Sequence, residues 1–430
     1  MKKTIVVIFF VICLSIPTII TVNAGNQEEQ TTNTKAHIVA DIYVDDDRDA
    51  SWYDDPTHFM TINEGIEASE DGDIVFVFSG IYVENVIVYK SITLRGQNKE
   101  TAIIDGNEIA DTLFINTSFV TIKMFKVINS KNNGFCSGIK VREHLMNEPV
   151  QILTDISISN CILENNECGI RLDNAKEVSV SNCIINNNHA HSVYTLHSEN
   201  IKIDSCEIFN NGKSIGGGWS TSGGIVTTSG SNNLEILNCN IYDNVGSGIS
   251  VTADIIDIHN NMIKENSRGI VIDSSKVNVN IHNNYIIKND FKGLWIEYCK
   301  NVFIYKNMIS ENGNNEDVYC GGIYLEGCSD MTIKSNIISS NIKYGILIMY
   351  SNYINTKENN FIENEKHASF YLYLEDGSRC NIWDKNYWDD QLIPGFPKFI
   401  YGYIVDWNNN LIPYVECDKH PAQEPYQIDI

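Results

Sequence analysis

Residues Gly293 to Gly313, GLWIEYCKNVFIYKNMISENG, and residues Gly321 to Asn341, GGIYLEGCSDMTIKSNIISSN, align almost position for position. Each ends its first apolar run in a glutamate, Glu297 or Glu326, with an aromatic residue two places earlier, Trp295 or Tyr324. The runs are short, alternate apolar with polar, and are separated by Asn, Ser and Gly, so they have strand period and strand length with no matching helical period. A unit this small cannot bury its own apolar face and folds only by stacking on copies of itself.

The same unit extends well beyond these two stretches. Cys161, Cys183, Cys206, Cys239, Asn261, Asn284, Asn307, Asn336 and Asn360 occupy one equivalent position. Their spacing is 22 to 24 residues, stretched to 33 and 29 where insertions interrupt it. Five positions further on lies a second column: Asn166, Asn188, Asn211, Asn244, Asn266, Asn289, Asn312 and Asn341. A third position is mostly Gly followed by an apolar residue: Ile170, Val193, Ile225, Ile249, Ile270, Leu294, Ile323, Ile346 and Phe370. Three short strands per repeat and two turn columns predict an all-β chain, a single-stranded right-handed parallel β-helix with triangular coils. Side-chain amides at equal turn positions can hydrogen-bond from coil to coil and tolerate left-handed backbone angles, and the cysteines fill the same slot with a small apolar group.

The flanks complete the organisation. Residues 1–24 have a basic start (Lys2, Lys3), an apolar middle and small residues at Val22 and Ala24, which reads as a secretory signal, with an uncleaved anchor as the alternative. Residues 25–40 form a polar linker, 41–72 an N-terminal cap, 73–380 the β-helix and 381–430 a C-terminal cap and tail rich in aromatics and proline. Within the N-terminal cap, Thr61 to Ser69 predicts a short helix with Ile62 and Ile66 on one face. The mature chain has no membrane span.

With 55 acidic against 31 basic residues the formal charge is −24, which argues against nucleic acid and anionic membrane as partners. It also argues weakly against a strongly anionic polysaccharide unless a cation bridges the two.

IYVDDD (Ile42 to Asp47), DGDIVFVFSGIYVENVIVYKSITLRG (Asp71 to Gly96), the repeated I-x-x-N-x-I-x-x-x-N-x-x-G-I coils and NYWDD (Asn386 to Asp390) resemble the NosD-like secreted β-helix proteins, relatives of the pectin-lyase-like superfamily with carbohydrate-binding and sugar-hydrolase-type repeats. The resemblance covers nearly the whole mature chain. It implies a secreted or extracytoplasmic protein whose partner is a polysaccharide or cell-surface glycan, or else an accessory protein for copper delivery. The fold hosts lyases, hydrolases, binders and adhesins, so it does not choose among them. The N-T-D, G-H-G and R-I-K motifs expected of a polygalacturonase-like enzyme are absent.

Strand alternation then places the candidate site. With Leu294 and Ile296 inward, Trp295 and Glu297 point outward, as do Val271 and Asp273 in the coil before and Tyr324 and Glu326 in the coil after. Asp273, Glu297 and Glu326 therefore form a vertical row with neighbours about 5 Å apart and outer members about 9.6 Å apart, beside Trp295 and Tyr324. Carboxylate pairs at these separations suit retaining or inverting glycosidases, and crowded like charges raise the pKa of one member, as a general acid requires. The competing reading is a solvated acidic strand face neutralised by Lys276 and Lys300. Trp219 and Tyr319, on insertions, are further sugar-contact candidates.

The metal candidates are separate. His189, His191 and His197 lie close in sequence and suit copper, and His259 and His282 share one coil position facing outward. Asp45, Asp47 and Asp49 offer hard oxygen ligands for calcium, without the sixth-position glycine or closing glutamate of an EF-hand. Among the cysteines, Cys161, Cys183, Cys206 and Cys239 read as a buried thiol stack, whereas Cys299 and Cys328 are neighbours able to pair. These observations predict a monomeric, secreted polysaccharide binder with cleavage, of hydrolase or lyase type, as the further option; calcium is the one cofactor suggested. Copper delivery and a non-catalytic adhesion scaffold are the alternatives.

Overall fold

Tyr43 pairs with Phe76, and from there strand after strand runs parallel to the one a single coil earlier. The computed structural model describes residues 39–142, 151–212, 223–274, 278–314, 317–373 and 381–430. The chain divides into two compact units, Met1–Val39 and Ala40–Ile430. The signal, nearly all of the linker, Trp219 and Cys380 lie outside the described residues.

The second unit is an all-β, right-handed parallel β-helix with three ladders of strands. One face stacks Cys168–Asp173, His191–Leu196, Ser247–Ala253, Arg268–Asp273, Lys292–Glu297, Gly321–Glu326, Tyr344–Met349 and Ala368–Tyr373 in parallel register. A second face stacks strands such as Ile256–His259, Val279–His282 and Val302–Tyr305. Gly223–Leu237 runs through both, so the two faces join as one 28-stranded sheet among the described residues, and the third face is a separate sheet of 13.

The core is a column of inward side chains, among them Ile170, Val193, Ile225, Ile249, Ile270, Leu294, Ile323 and Ile346, none more than 1% exposed. The last expected member, Phe370, sits two residues late. Ile346 pairs with Ala368, and Phe370 continues the neighbouring inward column from Ile348.

The turn columns behave as stacked amides, with one shift. Asn336 donates to Asn359, not Asn360, and Asn359 donates in turn to Asn386, each through both its backbone N–H and its side-chain amide at 2.9 to 3.1 Å. In the Asn359-Asn360 pair the repeat spacing cannot choose between neighbours; only the first faces inward. The left-handed backbone falls on the residue before each ladder position, as at Asn260, Asn283, Lys306, Ser335 and Glu358, all with φ between 53° and 57°. Lys and Glu occupy that position as readily as Asn, because the ladder below over-determines the turn.

The ladder ends in Asp418, which is fully buried. Its carboxylate accepts from Asn386 N–H at 2.8 Å and from the Asn386 amide at 3.1 Å. Trp388 Nε1 adds a third bond at 3.2 Å. An acceptor-only group is the natural terminus for a column that passes donors upward.

At its other end this ladder is made of Cys161, Cys183, Cys206 and Cys239, all buried and free, with Cys239 N–H donating to Asn261 Oδ1 at 2.9 Å. A thiol reagent such as Ellman's is expected to leave these four unmodified in the native protein and to modify them as the chain unfolds in urea. Rapid native modification would mean the coils open locally.

Both ends are closed. Helix Ile62–Ala68 carries a capping box between Thr61 and Glu64 and buries Ile62 and Ile66 over the first coil. At the other end, Lys398–Val405 and Leu411–Asp418 form an antiparallel hairpin. Its first strand pairs with the last coil at Tyr371 and Tyr403, so the open sheet edge is covered.

Within that cap, burial pushes the Glu416 carboxyl up to about 7, partly offset by the bond it accepts from Trp383 Nε1 at 2.7 Å. A carboxyl raised in the folded state stabilises the fold below its unfolded value of about 4.3, and that contribution is lost as pH rises through 7. Glu416→Gln keeps the acceptor and removes the charge. It is expected to match the wild type in unfolding free energy at pH 4 and to exceed it by about 3 kcal/mol at pH 8, both read from urea titrations; parallel pH profiles for the two proteins would contradict this.

Candidate functional site

Asp273 pairs with Glu297, and Glu297 with Glu326, so the three carboxylates stand in one outward row on consecutive strands. Val271, Trp295 and Tyr324 form the adjacent row two residues earlier. The alternation of the strands Arg268–Asp273, Lys292–Glu297 and Gly321–Glu326 produces this directly, since Ile270, Ile272, Leu294, Ile296, Ile323 and Leu325 fill the core.

The three carboxylates of the row are partly exposed. Glu297 is half-buried, and burial pushes its carboxyl above the usual range; the Trp295 indole partly offsets this, while Glu326 and Asp273 reinforce it. Tyr324 is 8% exposed, against the expectation of an open outward ring, and its hydroxyl donates to Glu326 Oε2 at 2.7 Å. Burial, with Glu326 beside it, pushes the Tyr324 phenol up. Tyr319, on the 313–320 insertion, has its ring 6.4 Å from that of Tyr324, which explains the cover.

Two cations that the sequence reading did not name pack against the aromatic row. Lys276 lies outside the described residues, and Lys300 is exposed. Lys292 and Arg268, paired in register, do the work instead. Lys292 is buried, with its Nζ 2.9 Å from Asp317 and 4.6 and 4.9 Å from the ring centres of Trp295 and Tyr324. The Arg268 guanidinium lies 5.0 Å from the Trp295 ring. Both residues stand at strand starts, three places before the aromatic row and five before the acid row, and the repeat alignment offers no reason to single them out.

Beyond Glu326 the same face becomes aromatic. Tyr344, Tyr350 and Tyr371 pack with Trp295 and Tyr324 around Leu347 and Met349. Tyr350 stacks on Tyr373 at 4.3 Å. Gly327, at φ 61°, lies between the left-handed Tyr298 and Tyr350 in the turn column, and a Cβ there would meet the Tyr298 ring at 2.7 Å. Glycine is what lets Tyr298 lie flat over the turn.

The metal candidates fare differently. His189 bonds to the Asn166 carbonyl, His191 stacks on Tyr194 and His197 packs against Gly230, so the three are not gathered around one point. They face different neighbours because they stand on a turn, a strand and the next turn. His259 and His282 do stack, at 4.9 Å, but each pairs with a carboxylate, Glu235 or Asp257.

The acidic loop brings together Asp45, Asp46 and Asp47, not Asp49, which precedes a short 3-10 helix. Arg48 already bonds Asp45, supplying the positive charge a calcium ion would bring. Cys299 and Cys328 are not joined by a disulfide, and each donates to a carbonyl, of Glu297 and Glu326 respectively.

One cluster escaped the sequence reading. His367 Nε2 lies 2.7 Å from Asp389 and 3.2 Å from Asp390, and Asn364 donates to its Nδ1 at 3.2 Å. Lys398 sits 2.6 Å from Asp390, and His367 with Lys398 holds that carboxyl well below its usual range. The NYWDD motif supplies both aspartates, and the cluster ties the last coil to the terminal hairpin.

A family model for the right-handed beta helix region matches residues 145–301 and 292–382. No curated protein matches the chain. Among solved structures, the A-module of Azotobacter vinelandii mannuronan C-5 epimerase AlgE6 is similar at TM-score 0.61 and 15% identity, covering 71% of this chain and 90% of its own. The AlgE4 A-module of the same organism gives 0.58 and 13%, covering 75% and 96%. The Dettilon tailspike protein gives 0.51 and 15%, covering 72% and 66%. At these identities the likeness is one of fold.

Proposed function

The chain belongs to the right-handed beta helix family, and from that premise we propose that it is a secreted polysaccharide-binding protein that holds its glycan along the face of strands Arg268–Asp273, Lys292–Glu297 and Gly321–Glu326. The observation that carries this is the juxtaposition, in strict register, of an acid row with an aromatic row two residues away. Aromatic rings cover the C–H face of a sugar, and carboxylates accept from its hydroxyls. Two epimerase modules of the same fold are named for mannuronan, which supports the class of ligand but not a reaction.

Hydrolysis is the second reading, favoured by one feature. Glu297 has its carboxyl raised by burial and by its neighbours, and Glu326 beside it is oriented by Tyr324. Adjacent strands put such a pair about 5 Å apart, the separation of a retaining glycosidase.

A polysaccharide panel on the purified protein, with and without calcium, following reducing-sugar release, unsaturated-product absorbance and binding together, separates the outcomes. Binding with release supports both readings, and binding alone supports the first. Neither would leave a scaffold.

A further inference from the structure

A pocket of about 340 Å³ opens on the same face several coils earlier, lined in part by Phe135, Cys136, Glu167, Arg171, His191 and Tyr194. That volume is at the lower end of the range for small-molecule sites, roughly 300 to 1,000 Å³. We propose that this pocket is a second sugar subsite, built for an uncharged ring, so that the glycan of the preceding section is a neutral polysaccharide; the inference rests on that reading.

Position comes first. Lys140, Arg171, Tyr194, Val226, Ser250, Val271, Trp295 and Tyr324 succeed one another in register along one outward column. Five strand spacings separate Arg171 from Trp295, about 24 Å along the axis. The intervening Val226 and Ser250 are small and themselves buried, so contact with a ligand is confined to the two ends of the column.

Charge decides the ligand class. Arg171 gives its Nε to both carboxylate oxygens of Asp173, at 2.9 and 3.0 Å. Lys140 lies 3.4 Å from Asp111 and donates to the Phe135 carbonyl at 3.0 Å. Arg171 and Lys140 are each matched by a carboxylate and Glu167 adds a further carboxyl, against one more cation, Lys131, near Cys136, so among the described residues the lining carries no excess of positive charge to hold a uronate or sulfate.

What remains is unsatisfied hydrogen-bonding capacity. His191 Nδ1 and Glu167 Oε2 are buried with no hydrogen-bond partner among the described residues. Such groups call for a ligand or water to satisfy them. Burial lowers His191 to about 4, so the imidazole is neutral at ordinary pH, and burial pushes the Glu167 carboxyl up. Sugar hydroxyls both donate and accept, and match such a set. Phe135 is 69% exposed at the rim and offers the apolar surface a sugar ring needs.

The test is calorimetry of the full protein with hexamers of glucose, mannose and xylose, and with hexamers of mannuronate and galacturonate. At least one neutral hexamer is expected to bind tenfold or more tightly than either uronate hexamer. Phe135→Ala, at an exposed position where folding is not at stake, is expected to weaken that binding about tenfold. The double variant Arg171→Gln with Asp173→Asn, which leaves no orphaned charge, is expected to do the same. Trp295→Ala reports separately on the first site: loss there with no change in the pocket variants overturns this inference alone, and the converse overturns the acid-row site alone. Preference for a uronate hexamer, or binding of no neutral hexamer, also overturns it.

Discussion

On the hydrolytic reading, Glu297→Gln is expected to lower glycan turnover by about 10²- to 10⁴-fold, the usual contribution of a positioned acid or base, while leaving affinity within a few fold. Glutamine keeps the shape and the contact with Trp295 but cannot deliver a proton. The raised carboxyl also sets a pH signature: a general acid acts while protonated, so the wild-type rate should fall as pH rises through the elevated value of Glu297. Reducing-sugar assays from pH 4 to 9 on the two proteins check both statements. Turnover surviving in the variant would move the chemistry elsewhere, and equal loss of binding and turnover would make Glu297 a contact, not an acid.

Asn284→Ala is expected to destabilise the fold by about 3 to 5 kcal/mol, read as a lowered urea midpoint. Asn284 Oδ1 accepts from the N–H and the side-chain amide of Asn261, each at 3.0 Å. Its own amide donates to the Ile258 and His282 carbonyls and to Asn307. Each buried group left without a partner costs about 1 to 3 kcal/mol, discounted because the coils can shift. Cys206→Ala, in the same ladder, is expected to cost only about 1 kcal/mol, since thiols bond weakly and mainly fill space. Equal losses for the two would mean that packing, not the amide column, holds the turns.

The contrast between those two positions bears on how much could be read in advance. Periodicity exposes both turn columns and the parity of the strands, and so places Asp273, Glu297 and Glu326 in one row. It could not tell Asn359 from Asn360, because adjacent identical residues differ only in which one points inward. Nor could it gather His367 with Asp389 and Asp390, which come from the last coil and the segment before the terminal hairpin. The histidines at 189, 191 and 197 show the reverse error: nearness along the chain is not nearness in a turn-strand-turn path.

From sequence alone, then, come the repeat, the handed stack of coils, the inward and outward residues and the identity of the acid row, because a solenoid makes tertiary neighbours out of residues one period apart. Only the tertiary structure decided the environment of those residues: that Lys292 and Arg268 lie against Trp295, that the Tyr319 ring lies beside Tyr324, that Arg48 bonds Asp45 in the acidic loop and that burial raises the Glu297 carboxyl. Those facts depend on side-chain direction, insertions and desolvation, none of which follows the repeat.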